Sequence, residues 1–115
     1  MAIEITGRHM DVTDSMREYA EKRVAKLQEE FPRLDSVHVI MDIQKYMHIA
    51  EVVVHARRHI RLEAKESSEN MYASIDQVVD KIEKQLRRSI DKRHEHKGHG
   101  KLRDLEVAPE SADHE

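Results

Sequence analysis

The sequence predicts a two-layer α+β domain of order β-α-β-β-β-α, with two helices on one face of a four-stranded sheet. Two segments repeat apolar residues with the period of an amphipathic helix, and four shorter segments alternate apolar and polar residues as half-buried strands do. Its 115 residues, 38% of them hydrophobic, suit one domain with a small core. We therefore expect a domain over residues 1–93 and a flexible C-terminal tail over 94–115.

The first strand and helix follow from local patterns near the N-terminus. Alternation predicts a strand over residues 2–7, with its two isoleucines on the buried face and Gly7 ending it. Thr13 offers a side-chain oxygen that can cap a helix, and Pro32 closes that helix. If the first two strands are parallel neighbours, this helix forms a right-handed crossover. The apolar stripe of the helix is Met16, Tyr19, Ala20, Val24, Leu27 and Phe31.

Three further strands and a second helix complete the pattern. The strands are predicted over residues 36–43, 49–56 and 59–65. Their short connections favour antiparallel hairpins, although the turn at 57–58 is Arg-Arg, without the usual Gly, Asn or Asp. Residues 67–70 provide side chains that can cap the start of the second helix. Its apolar stripe, the longest in the chain, is Met71, Tyr72, Ile75, Val78, Val79, Ile82, Leu86 and Ile90.

Charge is segregated along the chain. The formal net charge is −3, which gives no general reason to expect a polyanionic partner. Residues 81–103, however, contain nine basic and three acidic side chains. Helical spacing predicts a basic ridge on the solvent side of the second helix, consisting of Lys81, Lys84, Arg88 and Lys92. A helix-one cluster at the edge of the first apolar stripe consists of Lys22, Arg23 and Lys26, and the two sets can flank one groove if the helices pack side by side.

A basic row on a helix is commonly just a solvated face, and this interpretation competes with a functional one. Lys84–Arg88 and Arg88–Lys92 are like-charge neighbours that each cost roughly 0.2–0.5 kcal/mol, which an external polyanion would relieve. No helix-turn-helix pattern or aromatic strand motif suggests base reading. The aromatic residues are Tyr19, Tyr46, Tyr72 and Phe31, and three of them lie on the helical stripes. The remaining mode is phosphate contact with folded RNA.

The sequence gives little support for catalysis or for metal binding. The chain has no Cys, which excludes disulfides, thiol catalysis and Cys-type zinc sites. His94, His96 and His99 have metal-compatible spacing, but they precede or adjoin glycines in the expected tail and are interpreted as a polar linker. We therefore expect neither catalytic residues nor metal, cofactor or small-molecule substrate.

Two groups of polar residues are interpreted as surface side chains. The pair Asp76 and Asp80 is expected to be solvated, and His38, His55 and His59 have the outward parity of their strands. An enzyme that uses these histidines remains a less favoured hypothesis. No apolar run approaches the roughly 18 residues of a membrane span, and the N-terminus lacks a signal-peptide pattern, so a soluble cytoplasmic setting is expected.

Four segments resemble the bacterial ribosome hibernation promoting factors, also called ribosome-associated inhibitor or sigma-54 modulation proteins. The segments are Ile-Thr-Gly at 5–7, Val-Ala-Lys-Leu at 24–27, Asn-Met-Tyr-Ala-Ser-Ile-Asp at 70–76 and Asp-Lys-Ile-Glu-Lys-Gln-Leu at 80–86. The likeness covers residues 1 to about 93. The chain is too short for the C-terminal dimerisation domain of long-type factors, which makes it similar to the short type.

This resemblance implies a fold similar to double-stranded-RNA-binding domains and a ribosomal partner. Such proteins bind the small subunit in the channel for mRNA and for the A- and P-site tRNAs, and they reversibly inhibit translation under stress and in stationary phase. A monomer off the ribosome is expected. The family's rRNA-contacting positions correspond to Arg23 and Lys26 and to the basic ridge, and Lys22 joins them by its place in the helix-one cluster.

Two questions stay open at the level of sequence. The acidic tail favours a role that opposes ribosome pairing, while the promoting role remains an alternative. A different class of function is a small protein-interaction module that acts through an exposed sheet edge or through the acidic tail.

Overall fold

The computed structural model describes residues 2–56 and 59–95, with side chains through residue 89. Its elements are β1 (Ala2–Arg8), α1 (Asp14–Glu30), β2 (Leu34–Gln44), β3 (Met47–Ala56), β4 (Ile60–Ser68) and α2 (Met71–Glu95). The predicted element order is confirmed. Residues 1–85 form one compact unit, and the chain from Leu86 onward belongs to a second. The predicted turn at 57–58 and tail residues 96–115 lie outside the described residues, and the domain boundary at 93 stays a prediction.

The four strands form one sheet in the order β1-β2-β3-β4. β1 pairs with β2 in parallel, and the other two pairings are antiparallel. The parallel pair is connected through α1, as a crossover connection requires. β1 and β4 are therefore the edge strands, and β2 and β3 are central.

The core lies between one face of the sheet and the two helices. Val39 and Met41 of β2 and Val52 and Val54 of β3 are almost fully buried on that face. The helical residues that cover them include Ala20, Val24 and Leu27 of α1 and Met71, Ile75, Val78, Val79 and Ile82 of α2. Each large apolar side chain removed from water in this way stabilises the fold by about 1.5–3 kcal/mol. This burial places the polar sides of both helices toward solvent.

The helix starts show which cap predictions are correct. Thr13 Oγ1 accepts a hydrogen bond from the Met16 amide at 3.1 Å, as predicted. At α2 the cap is Asn70, whose Oδ1 accepts from the amides of Tyr72 at 2.8 Å and Ala73 at 3.3 Å. The two serines expected in this loop belong instead to β4, because that strand stays paired with β3 as far as Ser68.

One prediction about the first strand is wrong, and another is confirmed. Gly7 does not end β1, since the strand continues to Arg8 and Gly7 pairs with Met41. Ile3 and Ile5 pair with the buried residues Val37 and Val39, so both lie on the core side of the sheet as predicted, although Ile3 is 40% exposed because β1 is an edge strand.

Candidate nucleic-acid interface

Side-chain bonds join α1 to α2 on the solvent side of the core. The hydroxyl of Tyr19 donates to Asp76 Oδ1 at 2.6 Å, and the Arg23 guanidinium donates to Asp76 and, at 3.0 Å, to Asp80. The ring of Tyr19 also meets Tyr72 edge-on, with centroids 5.3 Å apart. Tyr19 and Arg23 are one turn apart on α1, and their partners Asp76 and Asp80 are one turn apart on α2 in the same order. The two helices therefore run side by side in the same direction. We call Tyr19, Arg23, Asp76 and Asp80 the interhelical clamp.

The clamp compensates the charge of Arg23. Burial opposes that charge, but the adjacent carboxylates of Asp76 and Asp80 outweigh it and raise the pKa of Arg23. The hydrogen bond to Asp76 likewise raises the pKa of Tyr19 and favours its neutral form. The Arg23 side chain is only 25% exposed. Its charge is thus directed at α2, and its predicted role as an RNA contact stays a prediction.

Lys81 also has an internal partner. Its ammonium lies 2.9 Å from Glu66 Oε2. Glu66 belongs to β4, so Lys81 lies on a different flank of α2 from Asp80, which points to α1. Within the ridge predicted from spacing, Lys81 is therefore directed away from the groove between the helices.

Three of the predicted lysines in the first unit have exposed side chains that form no ion pair with any residue that the structure describes. They are Lys22 and Lys26 on α1 and Lys84 on α2. Arg88, in the second unit, is also exposed and has no such partner. Lys92 lies within α2, but its side chain falls outside the described part of the chain. Among the seven predicted residues, the uncompensated positive charge thus belongs to a subset.

The contact of Asp76 and Asp80 with Arg23 is the part of this surface that sequence reasoning missed. Both carboxylates are solvent-accessible, as predicted, with side chains 41% and 63% exposed, yet both bond to a residue more than fifty positions earlier in the chain. In the sequence, their spacing of one helical turn is a weak indication of this contact, because it allows both carboxylates to meet an arginine at the edge of a neighbouring helix.

The outer face of the sheet holds a second polar cluster, centred on Asp42. This carboxylate is 4% exposed although its parity in β2 is outward. His9 Nδ1 donates to it at 2.9 Å, the Ile43 amide donates at 2.8 Å, and Arg8 lies 3.9 Å away. The hydrogen bond from His9 is the main cause that lowers the pKa of Asp42, against the opposing effect of burial. Arg8 also lies 3.8 Å from Glu51, so the cluster is internally paired.

The outward histidines do not assemble into one site. His38 bonds to Thr6 at 2.9 Å, while His55 and His59 are exposed. Among the side chains described, those of residues 2–56 and 59–89, no group of three His, Asp or Glu is arranged to hold a metal. His96 and His99 of the predicted linker lie beyond the part of the chain that the structure covers. Neither described helix combines the length and apolar character needed to cross a bilayer.

Fold and surface define a small two-layer β-α-β-β-β-α domain that presents exposed basic side chains on its helices. The chain belongs to the sigma 54 modulation protein / S30EA ribosomal protein family, whose model matches residues 3–94. This is a family of ribosome hibernation factors, not of enzymes.

Relatives and solved structures agree with this assignment. The ribosome hibernation promoting factor of Salmonella typhimurium is 33% identical over 96 residues, which are 84% of this chain and 100% of the relative. That of Azotobacter vinelandii is 37% identical over 86 residues, 75% of this chain and 79% of the relative. A ribosomal subunit interface protein from Coxiella burnetii superposes with a TM-score of 0.75 at 28% identity, covering 80% of this chain and 100% of its own. The N-terminal domain of Thermus thermophilus Protein Y gives a TM-score of 0.69 at 29% identity, with coverages of 76% and 98%.

Proposed function

We propose that this protein is a ribosome hibernation factor that binds the small ribosomal subunit in the mRNA and tRNA channel and reversibly inhibits translation. It acts in the cytoplasm, as a monomer when free, by contacts between its helices and rRNA phosphates. Family membership supports the ribosomal partner. The observation that carries the binding mode is the set of exposed, uncompensated lysines on two helices joined by the interhelical clamp.

The clamp supports convergence of those charges on one surface. Tyr19 meets Asp76 and Arg23 meets Asp80, each pair separated by the same 57 positions. Extended by one helical turn, this register brings Lys26 level with residues 83–84 of α2. Lys26 and Lys84 then flank a single groove, as an interface that follows a phosphate backbone requires.

Four exposed residues of the predicted set are proposed as the principal phosphate contacts: Lys22, Lys26, Lys84 and Arg88. Arg23 and Lys81 are proposed as secondary contacts, because each must first leave a carboxylate. Lys92 extends the set on the pattern of the sequence alone. Helices that contact phosphates in this way recognise the shape of folded RNA and bind in a salt-dependent manner.

Ribosome co-sedimentation with a matched pair of charge reversals tests the proposal. Lys84→Glu changes an exposed, unpaired lysine on α2, and Lys65→Glu changes one on the outer face of β4. Both variants alter the net charge equally. We expect Lys84→Glu, and more strongly Lys84→Glu with Arg88→Glu, to lose co-sedimentation, while Lys65→Glu retains it. Equal binding by all folded variants would contradict the proposal.

The sheet edge favours a second candidate. β4 is an edge strand, and one side of it is unpaired in the sheet, so it can add a strand from a protein partner. A module of this kind would keep its partner after nuclease treatment and at moderate salt. Ribosome binding that resists about 0.5 M salt, at which the Debye length is roughly 4 Å and exposed charges are strongly screened, would favour this candidate.

A further inference from the structure

The tip of the β2–β3 hairpin presents an aromatic ring. Gln44 pairs with Met47, which leaves Lys45 and Tyr46 as a two-residue turn. Lys45 has a φ of 59°, a left-handed conformation for which glycine is normally favoured. Tyr46 is 73% exposed. The turn therefore holds a lysine and a tyrosine in solvent where a turn optimised for stability would use smaller residues.

The other aromatic residues are occupied. Tyr19 bonds to Asp76 and packs against Tyr72, and Phe31 is buried. Among residues 2–56 and 59–89, Tyr46 is the aromatic residue whose ring is largely free. The scarcity of free aromatic rings argued against base recognition by the helices, and this argument does not apply to the hairpin tip.

A shallow pocket of about 340 Å³ adjoins the ring. It is lined by Gln44, Lys45, Tyr46, Met47, Ile49 and Ser67. The lining combines an apolar wall, an amide, a hydroxyl and an ammonium group, and it contains no carboxylate. Gln44 and Ser67 have no side-chain hydrogen bond, and Lys45 has no ion pair, with any residue that the structure describes.

We propose that this pocket binds one unpaired nucleotide of RNA. The base stacks on the ring of Tyr46, its polar edge meets the amide of Gln44 and the hydroxyl of Ser67, and a phosphate meets the ammonium of Lys45. The free cation and the absence of an acidic lining residue favour a nucleotide over a basic or purely apolar peptide. The inference rests on the proposed function, since rRNA supplies the nucleotide, and it adds a base contact to an interface otherwise made with phosphates.

Substitutions of Tyr46 in the full chain test the site, because they distinguish stacking of a base on the ring from simple apolar contact. We expect Tyr46→Ala and Tyr46→Leu to weaken ribosome binding by about 5- to 150-fold, the range of aromatic stacking on a base, and Tyr46→Phe to retain it. Retention by Tyr46→Leu together with loss by Tyr46→Ala would overturn the nucleotide in favour of an apolar protein contact. Circular dichroism of each variant checks that the fold is intact.

Lys84→Glu, measured in parallel, separates this inference from the proposed function. Weakened binding by Lys84→Glu with unchanged binding by Tyr46→Ala would overturn the hairpin site alone. Unchanged binding by both would overturn the proposed function as well.

A second probe does not depend on the ribosome. A single-stranded ten-nucleotide oligouridylate, added to the ¹⁵N-labelled protein, is expected to shift the amide signals of Lys45, Tyr46 and Ile49, and Tyr46→Ala is expected to abolish those shifts. Unchanged signals at millimolar oligonucleotide would overturn the proposal.

Discussion

Gly7 allows the loop after β1 to fold back over the strand. A Cβ atom at this position would lie 2.5 Å from the Met10 carbonyl oxygen and 3.1 Å from Val12 Cγ2. The first of these neighbours is backbone, which cannot rotate away as a flexible side chain would. Gly7 is therefore required for close approach within a continuing strand, whereas the sequence pattern indicated a strand end because glycine commonly interrupts strands.

Gly7→Ala is expected to lower the free energy of unfolding by about 1–3 kcal/mol, because the Met10 carbonyl must move. Urea denaturation measures the change. Glu4→Ala, on an exposed position of the same strand, is the control and should stay within about 0.5 kcal/mol of the unsubstituted protein. A Gly7→Ala midpoint equal to that of the control would show that the loop adjusts freely.

The lowered pKa of Asp42 predicts that the stability of the fold depends on pH. Its folded-state pKa is lowered, first by the hydrogen bond from His9. Because its folded carboxyl group binds a proton less readily than the unfolded one, its stabilisation is complete above the unfolded pKa of about 3.9. It is lost as the pH falls through the lower folded value. In urea titrations between about pH 5 and pH 2, we expect Asp42→Asn to lose less stability than the unsubstituted protein, and parallel curves would contradict this.

At the scale of the elements, the interhelical clamp decides how α1 and α2 face each other. The sequence identifies Arg23 as a basic residue at the edge of a helix, but it does not reveal the two carboxylates that bind it. Arg23 lies 53 positions from Asp76 and 57 from Asp80, and local periodicity relates only residues within one helix. Tertiary contacts of this kind explain why part of the candidate site could not be predicted.

The clamp predicts different salt behaviour for two substitutions. Arg23→Gln should destabilise the fold by about 0.5–1 kcal/mol and weaken ribosome binding, because Asp76 and Asp80 lose their partner. It should lower the magnitude of the slope of log K against log salt concentration by less than Lys84→Gln does, because Asp76 and Asp80 compete with phosphate for the Arg23 charge. Lys84→Gln should lower the magnitude of that slope by about 0.7–0.9. An equal reduction by Arg23→Gln would instead identify Arg23 as a principal phosphate contact.

For the whole molecule, periodicity predicted the order and type of all six elements. Alternation identified the strands, and the apolar stripes identified the helices, because burial on one face leaves those periods in the sequence. Element ends were less predictable: β4 extends to Ser68 because β3 continues to pair with it. The burial of Asp42 was also missed, since Arg8 and His9 reach it from a neighbouring strand and loop.

The number of phosphate contacts proposed for the whole surface predicts how steeply ribosome binding weakens with salt concentration. Four exposed basic residues in contact with phosphates should give a slope of about −3 for log K against log salt concentration, at roughly 0.7–0.9 per contact. Co-sedimentation at several salt concentrations between about 50 and 300 mM measures it. A slope near zero would favour a protein partner at the sheet edge.

The parallel pairing of β1 has a consequence for the order of folding. Thr6 and His38 are 32 residues apart, whereas β2, β3 and β4 are joined as successive hairpins. Closing the longer loop costs more chain entropy, so we expect the three-stranded meander to form before β1 docks. Amide hydrogen exchange should then be faster in β1 than in β3. The lysines of α1 would thus reach the positions proposed for RNA binding only in the final stage of folding.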